Sequence, residues 1–196
     1  MKKVQTALIS VYNKNNLDPV LKALAKHDVD IISTGGTYDY IKTSGYKRIH
    51  SVESITDFPS ILGGRVKTLH PKIFGAVLAR SEPQDIKELN TYGINPIDLV
   101  IVDLYPFMEA VNRGASEQAI IEKIDIGGVS LLRAAAKNYK EVWTIPSRMS
   151  YQEFVRIYEL NKGSSSEDNR KDFAARTFDV TTNYDWFISD WFMGAR

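Results

Sequence analysis

The chain of 196 residues is long enough for one well-buried α/β domain, and 43% hydrophobic with 25% charged residues is a globular composition, neither disordered nor fibrous. A formal net charge of +1, with acids and bases mixed along the chain, leaves no basic tail or stripe for nucleic acid, whereas a small anionic ligand needs only a few well-placed cations. Without cysteine there are no disulfides, thiol nucleophiles or thiolate metal sites. Residues 1–6 show no signal-peptide core and no apolar run approaches membrane-spanning length, so a cytoplasmic protein with neither nucleic-acid nor membrane partner is expected.

Residues 6–12 (TALISVY) predict a first strand and residues 17–26 (LDPVLKALAK) the helix after it. Residues 30–33 continue as a second strand, followed by Thr34-Gly35-Gly36-Thr37 and a short helix through Lys42. The apolar run 73–79 (IFGAVLA) reads as another strand. Residues 81–84 read as a helix start, with Ser81 as cap, an early Pro83 and Gln84 three residues after the serine. Residues 98–104 (DLVIVDL) are the cleanest buried strand, their apolar residues nearly continuous and mostly β-branched. Helical patterns cover 117–123 and 129–138, and 142–145 is a strand. Ser150 and Glu153 predict a capping box for a helix through Leu160, and 162–166 (KGSSS) is the one flexible, linker-like stretch. A long helix from about Glu167 carries Phe173, Phe178, Tyr184, Phe187 and Trp191. No internal repeat is present. The alternation predicts a mostly parallel sheet with helices on both faces, and in such folds ligands sit beyond the carboxyl ends of the strands.

Three of those junctions carry candidate ligands. Ser10-Val-Tyr-Asn-Lys14 ends the first strand with a lysine, although Lys14 alone reads more simply as a solvated residue at a helix start. In Ser33-Thr-Gly-Gly-Thr37 the glycines permit close approach of an anion to the backbone and the helix start adds unpaired amides; alone, the pair is also just a turn. Gly63-Gly-Arg-Val-Lys-Thr-Leu-His-Pro71 groups the fork of Arg65, the point charge of Lys67, the hydroxyl of Thr68 and His70 beside glycines, with neither helical nor strand periodicity. Tyr105, after the central strand, is either at the ligand edge or packed on the core. Asp125 before Gly127-Gly128 doubles as a helix cap, and Lys137 suits a helix C-terminus without any catalysis. His27, His50 and His70 have no metal-ligand spacing, and no serine–histidine–acid set can be assembled, so no metal site is expected.

Together STGGT (33–37), GGRVKTLHPK (63–72), LYPF (104–107) and DIGGVSLLRAAAKN (125–138) resemble, in the same order, the cyclohydrolase domain of the bifunctional aminoimidazole-carboxamide ribonucleotide transformylase/inosine monophosphate cyclohydrolase family. The likeness extends over essentially the whole chain, including YDWFIS (184–189). It implies a methylglyoxal-synthase-like three-layer α/β sandwich with a mostly parallel central sheet and a C-terminal helical extension, spanning 1–196. The implied reaction closes the formylated imidazole carboxamide ribonucleotide to inosine monophosphate with loss of water, using no metal or organic cofactor. Purine nucleotides are then substrate and product.

The resemblance assigns Lys67, Tyr105, Asp125 and Lys137 to the chemistry. Asp125 would accept the carboxamide proton, Lys67 and Tyr105 would stabilise the oxyanion, and Lys137 would assist proton transfer. Phosphate capture falls to Lys14, Thr34, Gly35, Gly36, Thr37, Arg65 and Thr68, while Tyr12, Asn13, Val66, Val102, Asp103, Ile126, Gly127 and Gly128 complete the substrate contacts. The family commonly carries serine and aspartate where Tyr12 and Asn13 stand, and asparagine at Asp103. A carboxylate beside a dianionic substrate must point away or be hydrogen-bonded, which makes Asp103 a base-contact residue rather than a phosphate ligand. The transformylase half is missing, so formyl transfer is expected on a separate chain or in that half; the oligomeric state stays open, a homodimer included. Two other readings compete: a methylglyoxal synthase, and a regulatory nucleotide-binding domain like that of carbamoyl phosphate synthetase.

Overall fold

A computed structural model describes residues 1–194. Its strands are β1 (Lys2–Lys3), β2 (Thr6–Val11), β3 (Asp30–Ser33), β4 (Ile49–Ser51), β5 (Leu99–Asp103), β6 (Trp143–Ile145) and β7 (Ser164–Ser165). Five of them form one parallel sheet in the order β4-β3-β2-β5-β6, while β1 pairs antiparallel with β7. The helices are α1 (Leu17–Ala25), α2 (Gly35–Thr43), α3 (Val52–Thr56), α4 (Pro71–Leu78), α5 (Pro83–Thr91), α6 (Phe107–Asn112), α7 (Glu117–Ile121), α8 (Gly127–Lys137), α9 (Tyr151–Leu160) and α10 (Glu167–Phe192). Among the described residues no helix is long and apolar enough to cross a membrane.

Successive strand residues point to opposite faces, and here both faces are covered, which is why β2 and β5 read as continuous apolar runs. Ala7, Ile9, Leu99, Ile101, Trp143 and Ile145 meet α1, α9 and Phe173 of α10 on one side. Leu8, Val100 and Val102 meet α3, α4 and α8 on the other. Three layers result. Trp143 is fully buried edge-on to Phe154 (4.9 Å) and Phe173 (5.6 Å), so α9 and α10 share one aromatic anchor. Arg170 of α10 is also buried, its guanidinium donating to the carbonyls of Tyr139, Lys140 and Ser165, and this ties α10 to the loop after α8 and to β7.

From β2 the chain first builds outward through β3 and β4, then returns to lay β5 and β6 on the other side. The order reverses between β2 and β5, where Val11 faces Asp103 in register. A crevice opens at the carboxyl ends of strands at such a switch point.

Several expectations need correction. The run 73–79 is not a strand but α4: Ile73, Ala76 and Val77 recur at helical spacing and are buried, Pro71 occupies the first turn, and His70 caps it by accepting from Lys72 N–H (3.1 Å). Helix α5 starts where expected, but Ser81 is not its cap; its hydroxyl donates to Glu141 (2.7 Å) and Glu82 takes the cap position. Ser150 and Glu153 form no capping box, because Ser150 closes a 3-10 turn and Glu153 pairs with Arg176. Residues 162–166 are no linker: Gly163 C=O accepts from Val4 N–H, Ser164–Ser165 form β7, and Ser166 caps α10 in a capping box with Asn169. Strands β1 and β4 and the short helices α3 and α6 are too short to show a periodic pattern in the sequence.

Candidate functional site

A cleft of about 670 Å³ opens at the β2–β5 switch point, within the usual size range for small-molecule sites. Its floor is the end of β2 (Ser10, Val11) with Tyr12 just beyond it, and its walls come from Thr34, Gly36 and Thr37, from Gly63, Gly64, Arg65, Lys67 and Thr68, from Asp103 with Tyr105, and from residues 121–128.

One end is built for an anion. Thr34 is extended, makes no side-chain cap on α2, and leaves the first-turn amides of that nine-residue helix facing the cleft. Two ammonium groups flank the same turn: a Cβ on Gly35 would stand 3.4 Å from Lys67 Nζ, and one on Gly36 would stand 3.8 Å from Lys14 Nζ. Gly35 also sits at φ +53°, where a side chain is strained. Lys14 donates to the carbonyls of Val11 (3.0 Å) and Tyr12 (2.9 Å). Burial lowers its pKa from the usual 10.5; the charge of Lys67 adds to this and Asp103 partly offsets it. Two like charges beside an uncapped helix start are the electrostatic signature of a phosphate cradle.

Not every expected phosphate ligand offers what its residue type suggested. The Thr37 hydroxyl donates to Val11 C=O (2.9 Å) and accepts from Val11 N–H (3.1 Å), so it locks α2 to β2 and has no proton left for a ligand. The Thr34 hydroxyl turns toward Glu53 (3.4 Å). Arg65 lines the cleft, yet its guanidinium is paired with Glu122 from the facing wall. Thr68 is buried with its Oγ1 2.9 Å from where a Cβ on Gly127 would be, so residue 127 must be small for the two segments to meet.

Asp103 meets the condition set for it. Its carboxylate accepts from Asn13 N–H (3.1 Å), and Asn13 in turn forms an Asx turn with Asn15 N–H (2.8 Å). Burial raises the Asp103 pKa above 3.8 against the opposing pull of the Asn13 and Arg148 amides and of the Arg148 and Lys14 charges. Val102, by contrast, is 1% exposed with its side chain in the α4–α8 core, and Val66 closes a loop by bridging to Ile61. Neither side chain lines the cleft.

The other end holds Asp125 and Tyr105. Asp125 Oδ1 accepts from Gly128 N–H (2.7 Å), and a Cβ on Gly128 would stand only 2.8 Å from Asp125 Cγ. Glycine there lets the carboxylate fold back over the first turn of α8. Burial raises the Asp125 pKa, opposed by the Gly128 and Tyr105 amides and by the charge of Lys67. A carboxylate drawn upward toward neutrality is a stronger base than a solvated one. Tyr105 is also raised from 10.0, by burial first and then by Asp125, with Lys123 pulling the other way; it is a neutral phenol, able to donate. Lys67 lies between the two ends, its charge felt by both Lys14 and Asp125.

Lys137 is not brought to this cleft. It is exposed in the last turn of α8, whose first turn is at the cleft, and ten residues of helix put it roughly 15 Å away. Ile126 does line the cleft, with 61% of its surface exposed. Two residues not foreseen as site residues also converge here. Lys123 Nζ lies over the rings of Tyr12 (5.0 Å) and Tyr105 (5.8 Å), which meet edge to face at 5.2 Å. Tyr184 of α10 reaches residues 123–125 from behind the cleft wall. Among the described residues no group of His, Asp and Glu could hold a metal ion.

Two families match successive parts of the chain. The MGS-like domain family matches residues 16–130, and the AICARFT/IMPCHase bienzyme family matches residues 135–196. The bifunctional purine biosynthesis protein PurH of Bacteroides thetaiotaomicron is 49% identical over 97% of this chain. Those of Mesorhizobium japonicum and Ligilactobacillus salivarius are 44% identical over 98% and 46% identical over 96%. The chain spans only 36% to 38% of the length of these relatives. The crystal structure of ForH superposes with a TM-score of 0.81 at 29% identity, covering 96% of each chain.

Proposed function

Because this chain belongs to the MGS-like domain family and continues into the AICARFT/IMPCHase bienzyme family, we propose that it is an inosine monophosphate cyclohydrolase. The reaction closes 5-formamidoimidazole-4-carboxamide ribonucleotide to inosine monophosphate. The observation that carries this reading is the polarity of the cleft: a two-lysine anion cradle at the α2 turn, and a buried carboxylate beside a neutral phenol at the other end. A nucleoside monophosphate has the same polarity, with phosphate at one end and reacting base at the other.

Ring closure joins the carboxamide nitrogen to the formyl carbon of the same molecule. One proton from that nitrogen and one from the formamide nitrogen leave with the formyl oxygen as water. Since both partners are already on one molecule, the protein has to hold the reactive rotamer and manage protons and charge. Asp125 takes the carboxamide proton, and its raised pKa fits that task. Tyr105 donates to the developing oxyanion, with Lys67 supplying positive charge from the middle of the cleft. Lys14, the amides of Gly36 and Thr37, and Thr68 hold the phosphate; Asp103 faces the base. Lys137, at the far end of α8, has no part in the cleft of one chain. Formyl transfer lies outside residues 1–196, and the activity belongs with the cytoplasmic steps of purine synthesis. Every group used comes from a single chain, so a homodimer, if formed, is not required for these contacts.

The test is direct. The chain is mixed with the formylated ribonucleotide, and inosine monophosphate is followed by ultraviolet absorbance, with dihydroxyacetone phosphate as a parallel substrate. Turnover of the ribonucleotide alone supports the proposal. Turnover of the triose phosphate alone would make the chain a methylglyoxal synthase, and nucleotide binding without turnover would make it a regulatory domain.

A further inference from the structure

One hydroxyl from the C-terminal helix holds the backbone of residues 123–125 at the cleft wall. Tyr184 Oη donates to Lys123 C=O (2.7 Å) and accepts from Asp125 N–H (2.9 Å), so it grips the backbone on both sides of Ile124. Among the described residues the other long-range ties of that stretch run through side chains, the Asp125 carboxylate accepting from the Tyr105 amide and the Lys123 ammonium reaching the Tyr12 hydroxyl (3.4 Å). Among those residues Tyr184 alone holds the backbone of the stretch from a distant element. The amides of Lys123 and Ile124 close local turns onto Ile120 and Ile121, and α8 begins at Gly127 without a side-chain cap. The Tyr184 ring lies outside the cleft, packed edge to face on Phe107 (6.4 Å), which is itself buried against Trp191 (5.9 Å). The hydroxyl is thus presented from a fixed aromatic cluster.

Two side chains on the gripped segment depend on its backbone. Asp125 points its carboxylate at Gly128 N–H, and Lys123 lays its ammonium over Tyr12 and Tyr105. Losing both bonds would free the backbone at Lys123 and at Asp125 together, and with it the aim of the two side chains.

We propose that Tyr184 is a positioning residue, whose hydroxyl fixes residues 123–125 in the conformation that places Asp125 and Lys123 against Tyr105. The inference rests on the reading of Asp125 as the proton acceptor. It also assigns a purpose to the segment matched by the AICARFT/IMPCHase family: α10 supports a reaction centre whose reacting groups all lie before residue 130.

Tyr184→Phe keeps the ring on Phe107 and removes both hydrogen bonds. Misplacing a reacting group by about 1 Å costs on the order of 10²-fold in rate, so kcat on the formylated ribonucleotide should fall by roughly that factor while KM is unchanged. Amide hydrogen exchange of Asp125 should speed up by about tenfold or more, with exchange in β2 and β5 unaltered. An unchanged kcat, or a loss of rate that merely tracks the unfolded fraction in a thermal melt, would overturn the proposal. If the variant does not fold, exchange in the parent chain decides: the Asp125 amide must be protected well beyond its neighbour Ile126, and equal exchange of the two refutes the grip. A parent chain that never turns over the ribonucleotide removes the reaction assignment, yet the exchange comparison still tests the grip.

Discussion

Replacing Gly128 with alanine tests the placement of the Asp125 carboxylate with one atom. Residue 128 lies in the first turns of α8 at an ordinary helical φ, so alanine fits the backbone and favours the helix by up to about 1 kcal/mol. The added Cβ, however, would lie 2.8 Å from Asp125 Cγ and 2.9 Å from its Oδ1, closer than packed atoms tolerate. The carboxylate is the mobile partner and must rotate off the helix start, losing the 2.7 Å bond from Gly128 N–H. A hydrogen bond to a charged group contributes roughly 1.5–3 kcal/mol, which as a barrier increase is about 10- to 150-fold in rate. Gly128→Ala is therefore expected to melt somewhat lower than the parent, because the lost bond outweighs the helix gain, to bind inosine monophosphate comparably through the lysine cradle, and to lose kcat by that factor. The assay is ultraviolet detection of ring closure beside a thermal melt and a product titration. Turnover within about threefold of the parent, with the fold intact, would refute the placement of Asp125 as base.

The remaining predictions concern charge. Because burial raises the Asp125 pKa above 3.8 and the base works deprotonated, the acid limb of kcat/KM should lie above that value, with activity lost as pH falls through it; Asp125→Asn should abolish turnover and leave no limb. Asp103 is also raised, so the folded state holds its proton more tightly than the unfolded chain does. Its contribution to stability is full below 3.8 and declines as pH rises through the folded value, so Asp103→Asn should melt higher than the parent at about pH 8 and equal to it near pH 3. An unchanged difference across that range would sink the argument. Glu122→Gln frees Arg65 from an ion pair whose side chains are 64% and 47% exposed. Such pairs contribute at most about 1 kcal/mol, so inosine monophosphate should bind up to about fivefold tighter, as read by calorimetric titration, and weaker binding would count against Arg65 as a phosphate ligand.

The central sheet was legible because residues 99–102 are apolar on both faces, a pattern that buried parallel strands produce and surface helices do not. The anion loop was legible for a related reason: Gly35 and Gly36 follow a strand and open a helix. Residues 73–79 misled because a short apolar run fits either state, although His70 and Pro71 already carried the helix start. Residues 162–166 looked flexible from composition, yet pairing with Lys2 and Lys3 across most of the chain orders them. Thr37 and Arg65 both line the cleft, but their functional groups are engaged elsewhere, by Val11 and Glu122. That competition is decided by geometry, which residue type does not encode. Lys123 had no local signal, and Tyr184 stood out only as the start of YDWFIS, which says nothing of its partner, since the contact between Tyr184 and Asp125 spans 59 residues of sequence.

That span also orders events on the ribosome. The phosphate cradle draws on residues 14–68 and can assemble early in synthesis, whereas residues 123–125 lack their anchor until position 184 has been made. At roughly 5–20 residues per second, the 59 residues between Asp125 and Tyr184 correspond to a delay of about 3–12 s. During that interval residues 123–125 would lack the hydroxyl proposed to hold them, and the proposed reaction centre would be complete only once the last helix has docked.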